Sequence, residues 1–266
     1  MKRAAIAIIG VAVIVGGCND KKSHSGLHEI KPNPVDVAKI EEILEHALHG
    51  QEGMRLAKTK TQTDAEKEAY AIFVDFWNPR DLGRYCGTWN IENYSRAKYL
   101  LIQHSLVVET RVTGSWDQRQ NPRHADPADP ERKDWKIQNI DDFVPQVNFH
   151  DARILYLTQS LTKQLEDFLG GDISEEGTSK IMSAGLATGR SQERLTAALT
   201  QIQVFPKHWD DGWHLVSHPL VSRILFSPDY SEAIVEFRIG YKGGYALYNK
   251  RAEHWSMKES HQTWIE

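Results

Sequence analysis

Apolar residues recur at intervals of three and four along the first half of the chain and at intervals of two along the last quarter. From Pro34 to His49, Val37, Ile40, Ile43, Leu44 and Leu48 share one face, with proline in the first turn and Gly50 at the end. That is the pattern of an amphipathic helix with ordinary start and stop signals. Thr63-Asp64-Ala65-Glu66 has the spacing of a capping box, and the helix it opens is expected to continue through Tyr70, Phe73, Val74 and Trp77 to Pro79. Phe149 to Leu169 gives the clearest helical pattern, with Ile154, Leu157, Leu161, Leu165 and Phe168 in phase and Gly170-Gly171 as the stop. Ser191 is expected to cap a further helix through Leu195, Leu199 and Ile202. Leu106, Val108 and Val112 alternate, so the second half of Leu100 to Val112 reads as a strand, with a helix as the alternative.

From Val221 the period becomes two. Val221 to Phe226 leads through Ser227-Pro228-Asp229-Tyr230 into Ala233 to Tyr241, where Ala233, Val235, Phe237, Ile239 and Tyr241 face one way. Gly243-Gly244 reads as a hairpin, Tyr245 to Lys250 returns, and Trp255 to Glu259 and Thr263 to Ile265 complete an antiparallel meander. Helices first and an antiparallel sheet last is an α+β arrangement. The expected division is a helical part over 35–145 and a helix-plus-sheet part over 146–266, with one shared domain as an alternative. Ser115 to Asp134, with Pro122, Pro127 and Pro130, reads as a long polar loop. The closing Gly-Tyr-x-Gly-Gly, Ala-Leu-Tyr-x-Lys and Trp-Ile-Glu resemble the last three strands of the nuclear transport factor two-like cone, over roughly residues 195 to 266. The resemblance implies a bent sheet over helices, often with a pocket. No position matches the Asp-His pair of that superfamily's dehydratases and isomerases.

The beginning of the chain has a different character. Lys2 and Arg3 precede an apolar run from Ala4 to Val15, and Gly16-Gly17-Cys18 follows. This is the three-part layout of an export signal, too short to span a bilayer and remain there. Val15-Gly16-Gly17-Cys18 resembles the lipobox of bacterial lipoprotein precursors. The resemblance implies that the Cys18 thiol takes a diacylglycerol and that residues 1–17 are removed. Two or three acyl chains hold stably to a bilayer where one holds reversibly. Residue 19 is Asn, not the Asp that retains enterobacterial lipoproteins in the inner membrane, so the resemblance favours the periplasmic face of the outer membrane. Residues 18–34 then read as a polar spacer.

Loss of Lys2 and Arg3 takes the formal charge from −4 to about −6. A mildly acidic chain offers no electrostatic footprint for nucleic acid. With Cys18 acylated, Cys86 is the only thiol left among two cysteines, so the fold is expected to rely on its core, with Cys86 buried.

The densest polar-aromatic stretch is His208-Trp209-Asp210-Asp211-Gly212-Trp213-His214-Leu215-Val216-Ser217-His218. Three imidazoles and two acids there could supply zinc ligands or a base. Their spacing matches no metal pattern, and a rigid aromatic loop beside the first C-terminal strand is the favoured reading. Within it, His208, Trp209, Asp211, Trp213, His214 and His218 are the candidates for ligand or partner contact. His46 and His49 lie three apart on the first helix, where solvent exposure is favoured over a metal site. Cys86, followed by Gly-Thr-Trp-Asn, lacks the apolar helical run that would present a reactive thiol. No serine-hydrolase elbow, phosphate loop, dinucleotide fingerprint or zincin motif occurs in the sequence.

The resulting expectation is a membrane-anchored lipoprotein, non-catalytic, without cofactor or metal, that binds an envelope protein. The alternatives are a small-molecule-binding or catalytic cone domain, and a peptidoglycan-binding or hydrolysing lipoprotein that uses Trp209 and Trp213.

Overall fold

A computed structural model describes residues 31–56, 62–86, 97–113, 116, 133–170, 190–203, 205–206, 213–240 and 242–265. Helix α1 (Pro34–Gly50) starts where the Asn33 side chain accepts the Val35 N–H, with proline in its first turn. Ile40 and Leu44 on its inner face are fully buried. The short α2 (Glu52–Leu56) follows, and then α3 (Asp64–Phe76). Both halves of the expected capping box at Thr63 and Glu66 are present. The single turn α4 (Gly83–Cys86) completes the N-terminal helices.

Strands β1 (Tyr99–Gln103) and β2 (Leu106–Arg111) come next, then β3 (Trp135–Ile140) and β4 (Arg153–Leu157). Helices α5 (Gln159–Gly170) and α6 (Arg190–Leu199) precede the short strands β5 (Phe205–Pro206) and β6 (Trp213–His214). The chain ends in β7 (Leu220–Phe226), β8 (Glu232–Ile239), β9 (Lys242–Arg251) and β10 (His254–Ile265). The meander β7–β8–β9–β10 forms the greater part of a six-stranded sheet of order β10-β9-β8-β7-β2-β3. The fold is α+β, with a sheet that is antiparallel except where β2 runs parallel to β7.

Strands β1 and β4 form a separate parallel ribbon. Alternate side chains of a strand point to opposite faces, and here both faces are covered. Tyr99, Leu101 and Leu155 join Leu161, Leu165, Phe168, Ala198 and Ile202 of the α1–α5–α6 layer. Leu100, Ile102, Ile154 and Tyr156 join α3 and the inner face of the large sheet. Phe76, Tyr85, Phe237 and Tyr248 meet ring to ring between α3, α4 and the sheet.

Two glutamines stitch the ribbon to its surroundings by imitating a peptide group. Gln51 Nε2 donates to the Tyr156 carbonyl and Gln51 Oε1 accepts the Tyr156 N–H, both at 2.7 Å. Gln103 does the same to Val221 of β7, both bonds at 2.8 Å. Ser217 adds a further rung to Leu101, accepting its N–H at Oγ and donating its own N–H to the Leu101 carbonyl. Helix α3 is tied to the last strands by Tyr248–Asp75, Lys250–Glu68 and Trp255–Glu68 bonds.

Several expectations need correction. Residues 149–169 are not one helix: Arg153–Leu157 is a strand, and the helix begins at Gln159 after Thr158 turns the chain. The 35–145 part is not simply helical, because it contributes β1, β2 and β3. Strand β1 pairs with β4 and β2 with β7, so strands of the two parts are interleaved. The turn from β8 to β9 is made at Gly240, at φ 58°, while Gly243 and Gly244 lie inside β9. The expected pair of closing strands is one strand, β10, with two register shifts.

Candidate functional site

Residues from α1, β1, β4 and the loops before β4 and after α6 line an open cleft of about 540 Å³. That size is in the ordinary range for a ligand pocket. Its lining is dominated by charge: Glu41 and Glu45 on one wall, Lys98 and Arg153 on the other, with Tyr99, His150, Asp151, Ala152 and Gln201 around them. The arrangement follows from the local fold. Glu41 and Glu45 are four apart on α1 and therefore stack on one face, clear of buried Ile40 and Leu44. Arg153 opens β4 opposite Tyr99, and its N–H donates to the Lys98 carbonyl at 2.8 Å, which joins the backbones of the two basic residues.

Each acid reaches across to a cation. Lys98 Nζ donates to Glu41 Oε1 at 3.0 Å, and Gln201 Nε2 donates to the same oxygen at 2.9 Å. The Tyr99 hydroxyl and Arg153 Nη1 both donate to Glu45 Oε1. The Tyr99 bond, then the Arg153 charge and its hydrogen bond, outweigh the effect of burial and hold the Glu45 carboxyl below the usual carboxylate range. Burial, and then the bond to Glu45, push the Tyr99 hydroxyl up to about 12. Asp151 on the rim is held by Arg80 at 3.1 Å. His150 beside it is exposed.

These ion pairs are not what fastens α1 to the body. Their side chains are 40 to 59% exposed, and exposed pairs contribute about 0–1 kcal/mol. Burial of Ile40 and Leu44 and the paired bonds of Gln51 hold the helix. Gln201 is 1% exposed, and its Oε1 has no hydrogen-bond partner among the described residues. The cleft can accept or exchange charged hydrogen-bonding groups at little cost to the fold.

None of the described sequence candidates lines this cleft. Cys18, His208, Trp209 and Asp211 lie outside the described residues. Trp213 and His214 form β6, whose backbone pairs with Pro206 and Phe205. His218 is fully buried, and its Nε2 accepts the Gly240 N–H at 3.3 Å, so it supports the β8–β9 turn and presents nothing at the surface. His46 and His49 are exposed on α1. Cys86 closes α4, and its side chain lies outside the description. Among the described residues no three His, Cys, Asp or Glu side chains are grouped to hold a metal, and no helix is long and apolar enough to cross a membrane.

Sequence reasoning missed the cleft because its members come from positions 41, 45, 98, 99, 150–153 and 201. The one local sign was the pair of acids four apart on the polar side of the first helix, and that pattern is common on any solvated helix. No protein-family model matches the chain, and no curated protein or solved structure is significantly similar to it.

Proposed function

We propose that the protein is a lipid-anchored lipoprotein of the bacterial cell envelope, on the periplasmic face of the outer membrane. It acts without catalysis, by binding an envelope protein over the charged cleft. The observation that carries this reading is the cleft itself: acids on α1 facing Lys98, just before β1, and Arg153 on β4, already ordered by bonds among themselves. Ordered, complementary charges favour specific polar partners and fast encounter.

The tether supports the same reading. An extended spacer over residues 18–33 reaches at most about 55 Å. Glu41 lies only about 10 Å along α1 from the end of that spacer. A partner in or near the same membrane is therefore within range of the cleft. A photoreactive residue at His150, on the exposed rim, tests the proposal in the producing bacterium. The expected result is a crosslinked envelope protein, weakened in Cys18→Ser cells, together with a diacylglyceryl mass on the Cys18 peptide. An unmodified Cys18, or no adduct from position 150, would overturn it.

A further inference from the structure

We propose that the group received by the cleft is zwitterionic: a peptide bearing a cationic nitrogen and a carboxylate close together. The proposal rests on the reading of the cleft as a recognition surface and names what that surface takes. The acids occupy one wall and the cations the other, so the cleft has a polarity. The place for an ammonium is against Glu41 and Glu45, the two acids of the α1 wall. The place for a carboxylate is against Lys98 and Arg153, the two cations that line the cleft and whose backbones are bonded to one another. A purely cationic ligand meets Lys98 and Arg153 as like charges, and a purely anionic one meets Glu41 and Glu45.

Exchange is feasible because the internal bridges are exposed. Lys98 and Arg153 keep more than half of their side-chain surface in solvent while paired. A ligand carrying both charges replaces each bridge with an equivalent one and strands neither partner. The Tyr99 hydroxyl, bonded to Glu45, keeps that carboxylate oriented while Arg153 turns to the ligand.

The test uses the full chain, purified in detergent, with calorimetric titration of four probes. Free dialanine carries both charges, N-acetyl-dialanine only the anion and dialanine amide only the cation. N-acetyl-Lys-Glu-amide carries both charges within a blocked chain. Saturable binding by one of the two doubly charged probes, at least tenfold tighter than by either singly charged one, is the expected result. Dialanine as the better ligand identifies chain ends or free peptides as the source. The blocked Lys-Glu probe as the better ligand identifies an internal segment of a protein.

Exchanging charges across the cleft, Glu41→Lys with Lys98→Glu, keeps an internal bridge but reverses its polarity. It is expected to weaken binding at least tenfold at unchanged circular dichroism. The exchange Glu45→Arg with Arg153→Glu serves if the first variant misfolds. Equal binding by all four probes, no binding by any, or full binding by a folded exchange variant would refute the assignment. A crosslink from position 150 that persists through such a failure leaves the protein-partner reading intact. Loss of that crosslink with retained dialanine binding removes the partner and leaves the ligand.

Discussion

The side-chain amide of Gln103 is bonded to the backbone of Val221 at both of its ends, 118 residues away, and is 8% exposed. It gives to the Val221 carbonyl and takes from the Val221 N–H, as a neighbouring strand residue would. The ribbon β1–β4 is thereby joined to β7 of the large sheet, and the charged cleft sits at the far end of that ribbon, around Tyr99 and Arg153.

Replacing Gln103 by Glu keeps the shape but removes the donor and sets a carboxylate against a carbonyl. A buried group left without its partner costs about 1–3 kcal/mol, more when charged. Gln103→Glu is therefore expected to lose at least as much stability as Gln103→Ala at neutral pH, measured by urea unfolding. Recovery of Gln103→Glu on acidification, as the carboxyl becomes a donor, completes the test. Equal stability of wild type and Gln103→Glu would show that the paired bonds contribute nothing.

Arg223 is the hub of an ion cluster on the outer face of the sheet. It binds Glu236 through two bonds, at 2.7 and 3.0 Å, and Glu109 at 3.2 Å. Glu109 is 2% exposed. Removing one partner of a buried ionic set costs about 3–5 kcal/mol, whereas replacing the whole set by apolar side chains is often neutral. Arg223→Met is expected to fall in that range. Adding Glu109→Leu and Glu236→Leu is expected to restore at least half of the loss in the same unfolding assay. A triple variant less stable than Arg223→Met would contradict the argument.

What could be read from the sequence and what could not divide along physical lines. Local codes were legible: the proline start of α1, the capping box at Thr63, and the alternation Ala233-Val235-Phe237-Ile239 that all reaches the inner core. Arg153–Leu157 misled because Ile154 and Leu157 are in phase with the helix that follows, while Tyr156 and Leu155 complete a strand buried on both faces. A strand covered on both faces has no alternation to display. The parallel pairing of β2 with β7 and the ribbon of β1 with β4 join residues far apart in sequence, and no local pattern encodes them. The cleft inherits that problem, since it is built where those long-range pairings begin.

Gly244 has the sequence signature of a hairpin turn, yet in the structure it lies inside β9 at a close approach to β10. A Cβ built there would lie 2.0 Å from the His261 carbonyl oxygen of β10, which is backbone and cannot swing away. Gly244 pairs with Gln262, beside a register shift in β10. Gly244→Ala is expected to cost about 3 kcal/mol, the upper range for an overpacked site. Gly53→Ala in α2 meets nothing within 4 Å and serves as the control. It should be neutral or gain up to about 1 kcal/mol from helix propensity. Thermal unfolding of the two variants side by side decides the matter, and equal melting temperatures would dismiss the close-approach argument.

Tyr99 governs the protonation of Glu45. The phenol hydroxyl is the largest influence holding that carboxyl low, ahead of the Arg153 charge. A carboxyl lowered in the folded state contributes stability above its unfolded pKa, about 4.3, and loses that contribution as pH falls through the lower folded value. Tyr99→Phe removes the hydroxyl while keeping the ring, so the Glu45 titration is expected to move upward toward the ordinary range. The acid limb of the stability curve should begin at a higher pH. Carboxyl-carbon NMR titration of Glu45 in the two proteins measures the first effect, and unfolding between pH 5 and 2 measures the second. Arg153→Gln should move the Glu45 titration in the same upward direction. An unchanged Glu45 titration in Tyr99→Phe would show that the carboxylate is ordered by Arg153 alone.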